Sequence, residues 1–304
     1  MLENLAVRAT GEILATTTAS GPDIWMLDPV ANSPATLVYS FTGYSSVLGI
    51  AEMHPNQFYV VAGNLSFSPI VGITPVTGSW SVFHVNLTQF DANGAVTALK
   101  IADFPDAVFL NGLCVLSLEQ GLVYIADAYA GVINILNVNT GDHHVAINNS
   151  LTAVEPPSTN IAGVNGVHVQ ETNGTLYLYF SNTAQNLLAR MPINTDGTPG
   201  GDPEVFVPGL FLLDDFTFDS TGDNIFQALI GSNEVVKIDV ATREVTLIAG
   251  NPDSAELMSV TSVQFGRLSN DSDTVFVTLN GANFTDLTIT VPGAVKMLDL
   301  GVLA

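Results

Sequence analysis

A chain of 304 residues is long enough for one large β or α/β-barrel domain, or for two ordinary domains. Its formal charge of −22, with only seven lysines and arginines, nearly excludes nucleic acid as a partner and disfavours anionic membranes. No apolar run approaches the roughly 18 residues that a membrane span needs. A composition of 47% hydrophobic and 12% charged residues favours a large core and small apolar or neutral ligands.

Six similar units follow one another along the chain, and each begins with two short β-strands joined at a turn. The first unit reads ENLAVRATGEILATT, and the third reads NGLCVLSLEQGLVYIADA. A third strand follows in every unit, such as DIWMLDP or GVINILNV, and five units add a fourth. The units begin near Glu3, Leu48, Asn111, Asn165, Asp214 and Thr261.

This repeat predicts the fold. Helical periodicity is weak, whereas β-branched and aromatic residues alternate and turn residues separate the runs. Six repeats of about 50 residues, with about four strands each, predict an all-β protein, a six-bladed β-propeller that forms one domain over residues 1–304. A TIM barrel would need eight amphipathic helices between its strands, and we find none.

Two units depart from the pattern. The segment SFSPIVGITPVTGS (66–79) lengthens the second unit, and we expect either a lid over one end of the propeller or an ordinary surface loop. The sixth unit has no fourth strand, and nothing before Glu3 supplies one. We therefore expect a natural chain that is longer at its N-terminus, with a signal peptide and a closing strand.

Cysteine and asparagine usage bears on the compartment. Cys114 is the single cysteine and lies in an apolar strand, so we expect a buried, inert thiol and no internal disulfide. Six Asn-x-Ser/Thr sequences favour a secreted, N-glycosylated protein. They begin at Asn64, Asn86, Asn148, Asn173, Asn270 and Asn283.

The leading residues of the six units are the candidate site. In a propeller the first strand of each blade lines the central channel, so equivalent leading residues form a ring at one end. The ring contains two carboxylates (Glu3, Asp214) and two carboxamides (Asn111, Asn165). These oxygen ligands suit Ca²⁺ or Mg²⁺. Alternatively, one carboxyl group keeps its proton beside the other and acts as a general acid, or the polar groups merely cap strand ends and bind channel water.

The segments ENLAVR, NGVHV and DDFTFD resemble the SMP-30/gluconolactonase superfamily of six-bladed propellers, and the resemblance extends over essentially the whole chain. In that family one Glu, two Asn and one Asp hold a divalent metal at the channel mouth. The resemblance therefore implies Glu3, Asn165 and Asp214 as metal ligands, with Asn111 less well matched, and a metal-dependent lactonase as one possible activity.

The chain departs from the lactonase pattern at the substrate side. The residue after Asp214 is Asp215 rather than Gly, and Asn4-Leu5 follows Glu3 where the family has Gly-Pro. Phe109 stands where the sugar-lactone enzymes of the family carry an arginine. A phenylalanine in place of an arginine that could hydrogen-bond a sugar disfavours a sugar lactone as substrate.

The segments ENLAVRATGEILATTTASGPDIWMLDP and NTAQNLLARMPI are similar to a group of secreted fungal propellers that includes the hetero-Diels–Alderases of tropolonic sesquiterpene biosynthesis. Those enzymes join a tropolone-derived o-quinone methide to a macrocyclic terpene such as humulene, a reaction that needs no cofactor. The resemblance implies acid chemistry for Glu3 or Asp214. It implies substrate contacts for Asn111, Asn165, Phe109, Thr261 and Leu48. A propeller that binds a partner without catalysis is the third alternative, and His168 is expected to pack rather than to catalyse.

Overall fold

The computed structural model describes residues 1–31, 33–68, 72–154, 161–283, 288 and 291–303. These residues form six antiparallel sheets and one separate hairpin, and each sheet is built from consecutive stretches of the chain. The predicted six-bladed β-propeller is confirmed.

The first three sheets contain four blade strands each. Blade 1 consists of β1 (Leu2–Val7), β2 (Ile13–Thr17), β3 (Asp23–Leu27) and β4 (Thr36–Ser40). Blade 2 consists of β5 (Ser46–His54), β6 (Gln57–Gly63), β9 (Trp80–Asn86) and β10 (Thr97–Phe104), and its hairpin insertion consists of β7 (Leu65–Ser68) and β8 (Gly72–Pro75). Blade 3 consists of β11 (Leu110–Ser117), β12 (Leu122–Asp127), β13 (Val132–Asn137) and β14 (His143–Asn148).

The other three sheets complete the circle. Blade 4 consists of β15 (Val164–Thr172), β16 (Thr175–Asn182), β17 (Leu187–Pro192) and β18 (Glu204–Pro208). Blade 5 consists of β19 (Leu213–Phe218), β20 (Asn224–Leu229), β21 (Glu234–Asp239) and β22 (Val245–Gly250). Within the described residues blade 6 has three strands, as expected: β23 (Val260–Phe265), β24 (Thr274–Leu279) and β25 (Ala294–Asp299).

In the part of the chain that the structure describes, helical structure is confined to two single turns, α1 (Phe90–Asn93) and α2 (Leu300–Leu303). Across the described ranges, no helix has the length and apolar character required to cross a membrane.

The core lies between the blades, because each sheet packs one face on each neighbour. Strand β12 is buried at all six positions, which explains its nearly continuous apolar sequence LVYIAD. One large cluster includes Trp80 from blade 2 with Phe109 and Leu110 at the start of blade 3. Cys114 is buried with a free thiol, as predicted, and burial raises its pKa.

Each innermost strand has a β-bulge or similar register shift near its first residues, where it lines the channel. In β11 the pairing register shifts between Leu110 and Leu113, and in β15 it shifts between Val164 and Val167. The other four inner strands have the same irregularity near their first residues. A β-bulge turns side chains away from the regular alternation, and here it affects the leading residue of the blades.

Candidate active site at the channel mouth

The structure brings most of the predicted residues together in one cavity of about 100 Å³ at one end of the channel, which we call the mouth cavity. Its lining includes Glu3, Leu48, Phe109, Asn111, Asn165 and Asp214 from five different blades. The remaining lining residues are Thr18, Ile73, Tyr129, Ile161, Ala162, Thr183, Ile230 and Asn280. The predicted ring is therefore a physical cluster, although its members are far apart in the chain.

Thr261 lies differently from the predicted ring position. It is buried beside β24, where its hydroxyl Oγ1 lies 3.0 Å from Thr278 Oγ1 and 3.3 Å from the Thr278 carbonyl oxygen. Blade 6 instead contributes Asn280, which follows β24, to the mouth cavity. The expected substrate contact of Thr261 is thus not supported by its position, because its hydroxyl is engaged within its own blade.

The carboxyl groups of Glu3 and Asp214 both line the mouth cavity and interact electrostatically. Asp214 is 4% exposed and Glu3 is partly buried. Burial raises the pKa of Glu3 to about 7, with a further contribution from the charge of Asp215. Burial also raises the pKa of Asp214 well above its usual range, and the charges of Glu3 and Asp215 add to the effect. Such a pair holds a proton near neutral pH, which is the state that a general acid needs.

The carboxamide of Asn165 is held in place by a short chain of hydrogen bonds. Its Nδ2 donates to Thr183 Oγ1 at 3.2 Å, and Thr183 Oγ1 donates to the carbonyl oxygen of Leu213 at 2.6 Å. Asn165 also forms a side-chain hydrogen bond with Asp214, which favours the charged form of that carboxyl and partly opposes the rise in its pKa. Asn165 therefore orients the acid of the neighbouring blade.

An aromatic wall forms the other side of the mouth cavity. The ring of Phe109 meets Trp80 edge-on with centroids 5.4 Å apart, and it meets Tyr129 edge-on at 5.1 Å. Asp127 fixes the backbone of this segment, because its Oδ1 accepts the Phe109 N–H at 2.9 Å. The predicted aromatic character at Phe109 is thus built into a rigid cluster, and the wall suits an apolar ligand.

The insertion in blade 2 reaches the same cavity. Strands β7 and β8 pair with each other in a sheet separate from the blade, and Ile73 of β8 lines the mouth. Residues 69–71 of the predicted lid lie outside the described residues. The described part of the insertion is therefore a wall of the site, and sequence analysis had no signal that singled out Ile73.

A second layer of polar residues lies one position further along the inner strands. Asn4 Nδ2 donates to Asp215 Oδ2 at 2.8 Å, and Ser262 Oγ lies 3.2 Å from Asn4 Oδ1 and 3.4 Å from Asp215 Oδ2. His168 Nε2 lies 3.1 Å from Asp215 Oδ1. We call Asn4, Asp215 and Ser262 the channel bridge. The two departures from the family pattern, Asn4 and Asp215, are thus partners across the channel.

In three blades the equivalent position is glycine, for a steric reason. A Cβ atom on Gly112 would lie 2.4 Å from the carbonyl oxygen of Asn165, and one on Gly49 would lie 2.4 Å from the carbonyl oxygen of Asn111. These glycines let neighbouring inner strands approach closely. The glycines that follow Asn111 and Asn165 lie inside β11 and β15, where the close approach of the neighbouring backbone requires them.

The mouth cavity is lined by side chains with oxygen atoms that a metal ion can bind. Among the described residues no group of three or more His, Cys, Asp or Glu side chains is placed to hold one. The mixed set of Glu3, Asn165 and Asp214 nevertheless offers oxygen ligands that a hard divalent cation prefers. A cation would offset the same burial of negative charge that otherwise raises the two pKa values, so these residues fit such a group.

Comparison with known proteins confirms the predicted resemblance. A protein of Phoma sp. named "Putative hetero-Diels-Alderase" is 24% identical over an alignment of 327 positions, which covers 99% of this chain and 87% of that protein. A protein of Sarocladium schorii named "Putative hetero-Diels-Alderase asR5" is 25% identical and covers 91% of this chain and 74% of its own length. No protein-family model matches the chain.

Solved structures share the fold at lower identity. A calcium-binding protein, regucalcin, from Agrobacterium tumefaciens superposes with a TM-score of 0.62 at 17% identity, over 91% of this chain and 81% of that chain. A luciferin-regenerating enzyme superposes with a TM-score of 0.65 at 16% identity, and the match covers 97% of this chain and 90% of that chain. A chain of a nidogen–laminin complex superposes with a TM-score of 0.65 at 14% identity, and the match covers 96% of this chain and 90% of that chain. The fold is common to proteins with different names, so the site must decide the function.

Proposed function

We propose that this protein is a hetero-Diels–Alderase that joins a tropolone-derived o-quinone methide to a macrocyclic, humulene-like terpene. The observation that carries the proposal is the pair of carboxyl groups, Glu3 and Asp214, with raised pKa values in a mouth walled by aromatic and aliphatic side chains. The names of the two curated relatives support the same reaction class.

The carboxyl pair supplies the step that makes the reactive diene. A protonated carboxyl of Glu3 or Asp214 donates its proton to the leaving hydroxyl group of the precursor, and the C–O bond breaks with release of water. The ionised partner accepts the proton from the ring hydroxyl, so charge and atoms balance and an o-quinone methide remains. Two carboxyls with coupled titration suit one acid and one base at neutral pH.

The cycloaddition itself needs positioning rather than a nucleophile. A hydrogen bond from the amide of Asn111 to the quinone-methide oxygen would withdraw electron density and lower the barrier, while Asn165 holds Asp214 in place. The terpene double bond would lie against Phe109, which offers an apolar face. Holding two reactants in a productive geometry supplies up to about 7–11 kcal/mol.

The size of the mouth cavity gives the insertion a role. About 100 Å³ is smaller than the roughly 300–1,000 Å³ of typical small-molecule sites. Strands β7 and β8 pair with each other and not with blade 2, and Leu65 at the base of the hairpin is buried and hydrogen-bonded to Ser45. We propose that this hairpin opens to admit the terpene and that Ile73 then covers it.

The direct test is an assay of adduct formation from the tropolone alcohol precursor and humulene. We expect a single stereoisomer above the uncatalysed background, with the rate falling as pH rises through about 7, because Glu3 loses its proton there. Glu3→Gln and Asp214→Asn should each slow the reaction on the order of 100-fold. The exposed Glu256→Gln and Asp253→Asn variants are matched controls and should keep the parental rate. A racemic product at the background rate would exclude the proposal.

A metal-dependent lactonase is the second candidate, because Glu3, Asn165 and Asp214 offer a suitable oxygen set. A divalent cation bound there would supply Lewis-acid polarisation of a carbonyl group. Treatment with EDTA separates the two activities: we expect adduct formation to persist after chelation. If EDTA abolishes adduct formation and added Ca²⁺ or Mg²⁺ restores it, the metal takes part in the reaction.

We also propose that the protein is secreted and glycosylated. Three of the six sequon asparagines, Asn148, Asn173 and Asn270, are exposed at turns or strand ends where a glycan can be attached.

A further inference from the structure

The larger cavity of the channel lies at its other end. It has a volume of about 450 Å³, and we call it the rear cavity. The far parts of all six inner strands line it, and they contribute Leu5, Ile50, Leu113, His168, Thr217 and Gln264. This volume lies within the range of about 300–1,000 Å³ in which proteins bind small organic molecules.

The rear cavity is separated from the mouth cavity by the middle of the channel. The channel bridge connects blades 1, 5 and 6 through the hydrogen bonds of Asn4, Asp215 and Ser262. On the other side, Gly49 and Gly112 bring their inner strands into backbone contact with the next blade. These contacts lie between the rear cavity and the mouth carboxyls, and the two cavities share no lining residue.

The charged groups around the rear cavity are already paired. Arg267 forms an ion pair with Glu52, and its Nη1 also donates to the carbonyl oxygen of Val7 at 2.9 Å. His168 Nε2 lies 3.1 Å from Asp215 Oδ1. Because these lining side chains already have partners within the protein, the cavity favours a neutral ligand.

The uncharged lining combines apolar surfaces with hydrogen-bonding groups. Phe218 and Phe265 provide aromatic surface, and Val115 and Val169 provide aliphatic surface. The hydroxyl of Thr217 lies 3.2 Å from Gln264 Oε1, so an amide and a hydroxyl stand side by side at the wall. The lining is about equally polar and apolar, so it suits a molecule that combines an apolar surface with hydrogen-bonding groups.

We infer that the rear cavity is a second binding site, for a neutral organic molecule that presents an aromatic surface together with hydrogen-bonding oxygen atoms. The inference rests on the lining and volume of this cavity and does not depend on the proposed function of the mouth.

Binding of prodan, a neutral naphthalene ketone whose fluorescence reports polarity, tests the site on the intact protein. We expect a saturable blue shift with a Kd below about 100 μM. Val115→Trp fills the rear cavity and should weaken binding at least tenfold, and Val169→Trp is a second variant of the same kind. Ala162→Trp fills the mouth cavity instead and should leave the Kd within twofold. All three substituted residues are partly buried, and each variant is checked for native circular dichroism.

A crystal soaked with prodan gives the same answer without substitution. Density among His168, Phe218 and Phe265 supports the second site. Absence of saturable binding to the parent protein, loss of binding in Ala162→Trp but not in Val115→Trp, or density confined to the mouth would each overturn it.

Discussion

At the scale of single residues, the buried carboxyl groups that suit the proposed reaction lower the stability of the protein at neutral pH. Glu3 and Asp214 lie where burial and neighbouring negative charge favour the protonated form. An acid whose pKa is higher in the folded state than in the unfolded state binds more protons when folded. Its contribution to stability is therefore greatest below the unfolded pKa and is lost as pH rises through the folded pKa.

Glu3→Gln should reverse this loss. The unfolded pKa of Glu3 is near 4.5 and its folded pKa is about 7, so parental stability should decline over that window as pH rises. We expect the variant to gain on the order of 2 kcal/mol relative to the parent between pH 4 and pH 8. Urea unfolding at both pH values measures the change, with Glu256→Gln as the exposed control. An equal effect of Glu3→Gln at both pH values would mean that Glu3 titrates normally.

At the scale of the strand, the bulges and glycines of the inner strands set how closely the blades meet. Asn111 and Asn165 face the mouth because the register shifts around them, and the glycine after each admits the neighbouring backbone. Strand sequence alone shows the alternation of side chains, but a bulge changes which side chain faces the channel.

Gly112→Ala should therefore disturb the ring without changing any functional group. Its Cβ would lie 2.4 Å from the Asn165 carbonyl oxygen, a backbone atom that cannot move alone. We expect a loss of about 1–3 kcal/mol in the free energy of unfolding. Gly301→Ala, where the nearest atom is 3.3 Å away, is the control and should stay within about 0.5 kcal/mol. A neutral Gly112→Ala would show that the inner strands are less tightly packed than described.

At the scale of the whole molecule, the channel bridge joins blades that are not neighbours. Asn4 and Asp215 are 211 residues apart, and their hydrogen bond crosses the channel beside Ser262 of blade 6. Contacts between β1 and β23 close the circle, with Arg267 Nη1 donating to the Val7 carbonyl oxygen. Closure of the propeller therefore depends on polar contacts at the axis as well as on the apolar clusters between blades.

Asn4→Ala should test that dependence. Removal of the amide leaves the buried Asp215 without one of its donors, which should cost about 1–3 kcal/mol in the free energy of unfolding. The exposed Gln89→Ala, which also removes an amide, should change stability by less than about 0.5 kcal/mol. Thermal and chemical unfolding of both variants gives the comparison. If Asn4→Ala unfolds like the parent, the bridge is not part of what closes the propeller.

The sequence by itself determined the sixfold repeat, the all-β fold and the leading residues that meet at the mouth. Those properties follow from local patterns, because alternation and turn residues specify strands, and equivalent positions in a repeat occupy equivalent places around an axis. Glu3, Leu48, Asn111, Asn165 and Asp214 could therefore be grouped without coordinates.

Only the tertiary structure decided which further side chains complete the site. Ile73 and Tyr129 enter from an insertion and from the end of another strand, Thr261 is engaged within its blade, and Asn4 bonds to Asp215 across the axis. The physical reason is that contacts between residues far apart in the chain depend on how the blades close and where the bulges fall. No local pattern encodes that geometry, and it also sets the burial that raises the pKa of the mouth carboxyls.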